Sequence, residues 1–277
     1  MVKKGIIIQA RVDSKRLPGK ILFKLPFNSN FTVLEQVIKR CKNVNNLDEI
    51  IIATTSKEND NVLEKITKFD GIRLFRGNEC NVLERFYYAA KIYKLNLIIR
   101  LTGDNPCIDP LLISTILENH VRNNVDYTKT EGYPIGLDVE VFNFNALEKA
   151  HKNATKDYEK EHVTPYINRN PQKFKINIVK APKELYAPDI RITLDTEEDY
   201  ALLCAVYDYL YPKDKYFNAY DIVNLFNEKP WLKLINKKII QKKIFNNLEE
   251  EIKEAVKILD LQDLNKVRDF LKEDLSK

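Results

Sequence analysis

Four short runs rich in β-branched and apolar residues, at 5–10, 49–54, 72–75 and 96–101, alternate with segments whose apolar residues recur at helical spacing. That alternation narrows the fold more than any other feature. Helices are expected near 32–42, 60–69, 81–93 and 111–122, the last opening after Asp109-Pro110. A strand that is followed each time by one helix returns parallel to its predecessor through a right-handed crossover. The fold class is therefore α/β, and ligands of such sheets bind beyond the carboxyl ends of the strands. A chain of 277 residues that is 44% hydrophobic can build this core without cross-links.

The rhythm changes between 125 and 180, where strands near 136–142 and 174–179 flank helices near 145–154 and 160–170. This stretch reads as an inserted α/β lobe. A strand at 190–194 and a helix over 196–209 then resume the pattern. The resulting division is a main domain over 1–240, carrying the lobe at 125–180, and a helical extension over 241–277. In that extension Leu248, Ile252, Val256, Leu259, Val267, Phe270 and Leu271 mark an amphipathic helix or helix pair over 248–275. It packs on its own domain or binds a partner.

Charge is unevenly spread. The net charge is +5, yet residues 1–42 hold ten basic side chains against two acidic ones. A concentrated basic segment implies a polyanionic ligand. The segment lacks the interleaved aromatics of a nucleic-acid strand platform, so a nucleoside triphosphate is expected and nucleic acid is not. Four cysteines without a CxxC pair and three histidines without an HExxH give no zinc pattern. They suit a reducing, cytoplasmic setting. The longest apolar runs fall well short of a membrane span, and a soluble protein is expected.

Three polar stretches sit where strands end. The first, Gln9-Ala10-Arg11-Val12-Asp13-Ser14-Lys15-Arg16-Leu17-Pro18-Gly19-Lys20, follows the first strand. Pro18-Gly19 turns the chain back, so Arg11, Ser14, Arg16 and Lys20 can converge on a triphosphate. A solvated basic loop is the plainer reading. No GxxxxGK[ST] or GxGxxG occurs. The second stretch runs from Arg100 through Thr102, Gly103 and Asp104 to Asp109. Gly103 permits close backbone approach, and Asp104 can then meet a phosphate-bound magnesium ion, which takes few protein carboxylates. Asp109 reads as a helix cap. The third runs from Arg191 to Asp199: Asp195 closes a strand and pairs with Asp104 round the metal, while Thr196 and Asp199 have capping-box spacing.

These stretches, with Phe75-Arg76-Gly77-Asn78-Glu79, Gly136-Leu137-Asp138-Val139-Glu140-Val141-Phe142 and Glu161-His162-Val163-Thr164-Pro165-Tyr166, resemble the cytidylyltransferases related to CMP-Kdo synthetase. The likeness is greatest to the spore coat polysaccharide biosynthesis protein F group, and it spans about residues 5–240. It implies a nucleotide-diphospho-sugar transferase fold and transfer of CMP from CTP to a sugar-like acceptor with release of pyrophosphate. It implies Mg2+ on Asp104 and Asp195, and CTP phosphates on Arg11, Ser14, Arg16 and Lys20. Gln9, Ala10, Thr102 and Gly103 join the nucleotide site, with Thr54, Arg76 and Gly77 near base and ribose. The likeness also implies a homodimer formed through the lobe. Gln9 stands where CMP-Kdo synthetase has Pro, which speaks against Kdo as acceptor. Guanylyl- or uridylyltransferases, and a non-catalytic nucleotide-sugar sensor, are the rival readings.

The acceptor residues are less defined. Asp138 and Glu140 project from one face of the expected strand and bind acceptor, join the metal, or form a polar strand face. His162 is structural or acceptor-binding. Arg191 meets an acceptor carboxylate or braces Asp195.

Overall fold

The computed structural model describes residues 2–239 and 248–274. A seven-stranded sheet carries the molecule, built from β1 (Lys4–Gln9), β2 (Glu49–Thr55), β3 (Arg73–Gly77), β4 (Leu97–Thr102), β5 (Tyr127–Glu131), β6 (Glu140–Asn143) and β7 (Ile176–Lys180). The strand order is β3-β2-β1-β4-β6-β5-β7. The first four strands are parallel; β6 runs antiparallel to both β4 and β5.

Helices cover both faces, and the sequence of β1 shows why. Ile6, Ile7 and Ile8 are all fully buried, as expected of a parallel strand covered on both sides. Ile6 and Ile8 join Ile52 and Ile99 in one core layer, under α1 (Val33–Cys41), α4 (Pro110–Asn123), α8 (Glu197–Leu210) and α9 (Ala219–Glu228). Ile7 joins Ile51 and Ile98 in the other, under α3 (Val82–Ile92) and α5 (Phe144–Asn153). The remaining helix between strands is α2 (Val62–Asp70), stopped by Gly71 in the left-handed region at φ 66°. Local signals set the helix starts. Thr32 and Glu35 form a capping box on α1, Asp109 caps α4 ahead of Pro110, and Thr196 with Asp199 forms the box on α8.

Four expectations need correcting. The 125–180 segment does not stand apart as a lobe: its three strands extend the same sheet, because β6 pairs directly with β4. The strand expected over 136–142 shrinks to β6. Gly136 adopts φ 106°, and Leu137 N–H bonds to Pro134 O in a turn (3.0 Å). The strand expected over 190–194 reduces to one bridge between Ile135 and Arg191. The helix expected over 160–170 splits into α6 (Asp157–His162) and α7 (Pro165–Asn168). Val163 lies between them at φ 71° and ψ −56°, with Thr164 N–H bonded to His162 O at 2.9 Å. That is a strained γ-turn on a β-branched residue.

Residues up to Ile239 form one unit and Ile240–Lys277 a second. The first ends with α10 (Leu232–Ile235). In the second, α11 (Leu248–Leu261) and α12 (Asn265–Asp274) are two helices in contact. The expected 240/241 boundary and the expected last helical residue, Leu275, fall outside the described residues.

Candidate active site

The carboxyl ends of β1 and β4 lie side by side, Gln9 opposite Thr102. Gly103 N–H bonds to Gln9 O at 2.9 Å. A Cβ on Gly103 would stand 3.0 Å from Ala10 Cβ and 3.2 Å from Leu34 Cδ1. Glycine therefore lets the two strand ends press together and delivers Asp104 to the edge of the cleft. Asp104 O accepts from Leu194 N–H at 2.9 Å, which fixes Asp195 beside it.

Lys20 reaches this place through a folded loop. Gly19 adopts φ 72° and its N–H bonds to Val12 O at 3.0 Å, closing the loop that Pro18-Gly19 suggested. The Lys20 ammonium donates to Asp104 Oδ2 at 2.6 Å, to Leu194 O at 2.6 Å and to Asp195 Oδ1 at 3.0 Å. Burial would lower its pKa, but Asp104 and Asp195 outweigh that and raise it. Asp195 also takes Arg16 at 2.8 Å and Arg191 at 2.7 Å. Burial raises its carboxyl, yet Lys20, Arg191 and Arg16 together pull it down to about 2. Arg191 is braced in turn by Asp199 at 3.0 Å, and Asn236 Nδ2 donates to Asp199 Oδ1 at 2.8 Å. Of its two sequence readings, the brace for Asp195 is the one formed here.

A cation held by two carboxylates and a carbonyl is a hard-oxygen environment. The Lys20 ammonium marks the point on which Asp104 and Asp195 converge, so the donor set suits a divalent ion whose other ligands are phosphate oxygens and water.

The remaining residues expected in the site divide by location. Ala10 is buried, its N–H on Ala53 O at 3.2 Å. Ser14 Oγ accepts from Leu17 N–H at 3.5 Å. Arg11 is exposed, with Glu79 at 4.0 Å. Thr54 is fully buried and donates to Asp60 at 2.8 Å. Arg76 turns onto Thr55 O at 3.0 Å and Glu64 at 2.8 Å, tying down the segment after β2. Both side chains are occupied in shaping the loop. Gly77 packs under Arg85, whose Cγ would lie 3.0 Å from an added Cβ.

On the opposite side, Glu140 is engaged by Arg100, Tyr127 and, at 2.7 Å, Thr164. Burial raises its carboxyl, but Arg100 dominates the opposing contacts and leaves it lowered. Arg100 also donates to Gln9 Oε1 at 3.1 Å. Glu140 is thus the centre of a polar network. Asp138 lies before β6, so the shared strand face expected for the pair does not form. Asp138 is exposed, and its Oδ2 accepts from Gly136 N–H at 3.3 Å; surrounding protein and neighbouring Glu140 raise its carboxyl pKa. His162 ends α6, its carbonyl in the γ-turn.

Two residues escaped the sequence reading. Asp60 anchors the 9–20 loop to β2, accepting from Val12 N–H at 2.7 Å and Thr55 N–H at 3.1 Å, as well as from both threonine hydroxyls. In sequence it looked like an ordinary helix start. Arg85 lies beneath the loop after β3, on a helix whose pattern reads as core.

A family profile described as cytidylyltransferase matches residues 5–247. The chain belongs to the cytidylyltransferase family. It is 37% identical over 226 residues to spore coat polysaccharide biosynthesis protein SpsF of Bacillus subtilis, covering 81% of this chain and 94% of that protein. It is 41% identical over 249 residues to an uncharacterised protein of Methanocaldococcus jannaschii, covering 88% and 98%. Among solved structures, a cytidylyltransferase from Leptospira borgpetersenii superposes with a TM-score of 0.77 at 31% identity, over 89% of this chain and all of that one. This cytidylyltransferase is accordingly a CTP-dependent nucleotidyltransferase on a mixed, Rossmann-like sheet, as the sequence resemblance implied.

Proposed function

We propose that this cytidylyltransferase transfers CMP from CTP to a hydroxyl of a small sugar-like acceptor, releasing pyrophosphate, in the synthesis of a surface polysaccharide. One observation carries the reading: Lys20 Nζ draws Asp104 and Asp195 to a single point, at 2.6 and 3.0 Å, where β1 and β4 end. The similarity to SpsF supports the polysaccharide role.

In this reaction an acceptor oxygen attacks the α-phosphorus in line, the α–β phosphoanhydride bond breaks, and the acceptor proton passes to solvent. Arg11, Ser14, Arg16 and Lys20 hold the triphosphate and offset the charge that grows on the departing pyrophosphate. Gln9, Ala10, Thr102 and Gly103 form the floor beneath it. Asp104 and Asp195 would hold Mg2+, which supplies charge withdrawal at the α-phosphate. Arg191, locked by Asp199, keeps the Asp195 carboxylate ionised and aimed. Asp138, exposed ahead of β6, would take acceptor hydroxyls. Arg100 is already committed to Glu140 and Gln9, which favours a neutral polyol over an anionic acceptor. Free thiols at Cys41, Cys80, Cys107 and Cys204 suit the cytoplasm, and the family likeness supports a homodimer.

The test is pyrophosphate release from CTP and Mg2+ across a panel of sugar acids, sugar phosphates and polyols. Stimulation by one acceptor, absent in Asp104→Asn, is expected. Equal release by that variant, or a preference for GTP or UTP, would sink the reading.

A further inference from the structure

A buried cation with no counter-ion is an expensive thing to fold, and the nucleotide half of this cleft contains one. Arg85, on α3, is 3% exposed. Its NH1 donates to Asn78 O at 3.0 Å and to Glu79 O at 3.4 Å, both carbonyls of the loop after β3. Its Nε is buried without a hydrogen-bond partner. Among the described residues no carboxylate comes within ion-pair distance of it. Asp60, a buried acid whose field reaches it, is spent on the 9–20 loop and two threonines.

Arg40 provides the contrast. It is also buried with an idle Nε, but it donates to Ile108 O, Phe217 O and Lys215 O and lies 4.0 Å over the Phe217 ring. Arg40 staples three segments of the core. Arg85 binds carbonyls of a single loop only. It sits where the 9–20 loop and the loop after β3 meet, the two linked through Arg11 and Glu79. Burial and the field of Arg11 lower the Arg85 pKa to about 10, with Asp60 and Glu79 compensating only in part. Two cations that repel each other beside an open cleft are stabilised together by a polyanion.

We propose that Arg85 is a further nucleotide-binding cation, serving the phosphate chain of the bound nucleotide beside Arg11 while its other donors fix the loop after β3. The proposal rests on the CTP reading above. The phosphates supply the negative charge that the folded protein lacks at this point, and the loop carbonyls hold the guanidinium in place before the ligand arrives. Arg76, expected near base and ribose, is turned onto the segment after β2 instead.

The experiment titrates cytidine, CMP and CTP calorimetrically into the full chain with Mg2+, comparing wild type, Arg85→Gln and Arg85→Lys. Glutamine retains a donor for the loop carbonyls and loses the charge; lysine retains the charge. Charge acting on phosphate makes the loss grow with phosphate number. For Arg85→Gln we expect cytidine within about twofold of wild type, CMP about threefold weaker and CTP at least about tenfold weaker. Arg85→Lys should recover CTP binding to within about threefold. Equal losses for all three ligands would show a purely structural role, and unchanged CTP affinity would remove Arg85 from the site; either overturns the proposal. Wild type that binds no CTP would instead overturn the functional reading beneath it. Should Arg85→Gln fail to fold, the wild-type Arg85 Nε resonance, assigned by its loss in Arg85→Lys, must move with CTP and not with cytidine. A resonance unmoved by CTP overturns the proposal.

Discussion

Lys20 and Asp195 show how one contact can be both a structural tie and a binding device. In the absence of nucleotide the ammonium satisfies two carboxylates that would otherwise repel each other. Asp195 has its folded pKa depressed from 3.8 to about 2, so its contribution is present above the unfolded value and lost as pH falls through the folded one. The difference corresponds to roughly 2 kcal/mol. Denaturant unfolding from pH 5 to pH 2 should therefore show a loss that Asp195→Asn flattens; an identical pH profile for the variant would contradict the assignment. Lys20→Ala removes charge-assisted bonds, each worth on the order of 1.5–3 kcal/mol, and should weaken CTP binding by tenfold or more. Calorimetry giving wild-type affinity would exclude Lys20 from the site. Lys20 was legible because Pro18-Gly19 turns the chain back, and Asp195 because it closes a short apolar run. Arg85 and Asp60 were not, because their roles arise from contacts between loops distant in sequence, which no spacing encodes.

Among the elements, the four parallel strands and their helices were legible within a residue or two, since buried isoleucine runs and capping residues are local signals. The stretches over 136–142 and 190–194 were not. Alternating apolar residues there suggest strands, but the turn at Pro134–Leu137 and the positive φ of Gly136 leave only β6 and a single bridge. Gly136 is where this irregular backbone is most exacting. A Cβ would meet Ile192 O at 2.9 Å, and φ 106° is costly for any other residue. Gly136→Ala should cost about 1–3 kcal/mol and lower the melting temperature by roughly 2–4 °C per kcal/mol. Because Ile192 leads directly into Asp195, CTP affinity should fall as well. A variant with wild-type melting temperature and affinity would contradict this coupling.

For the whole molecule, the family match ends at residue 247, where α11 begins, and the first structural unit ends at Ile239. The site residues all belong to that first unit. A chain ending at Ile239 should retain the melting transition and CTP affinity of the full protein; loss of either would assign the terminal helices a part in the site. The basic bias of the first 42 residues belongs to this scale too, since Arg16 and Lys20 from that segment meet Asp195 at the sheet's carboxyl edge. In the proposed reaction Asp104 and Asp195 hold a divalent ion for CTP beside Lys20. The direct measurement is CTP affinity with and without Mg2+, in wild type and in the Asp104→Asn, Asp195→Asn double variant. Mg2+ should tighten binding in wild type by at least about tenfold and have no effect in the double variant. An equal Mg2+ effect in both proteins, or none in wild type, would contradict it.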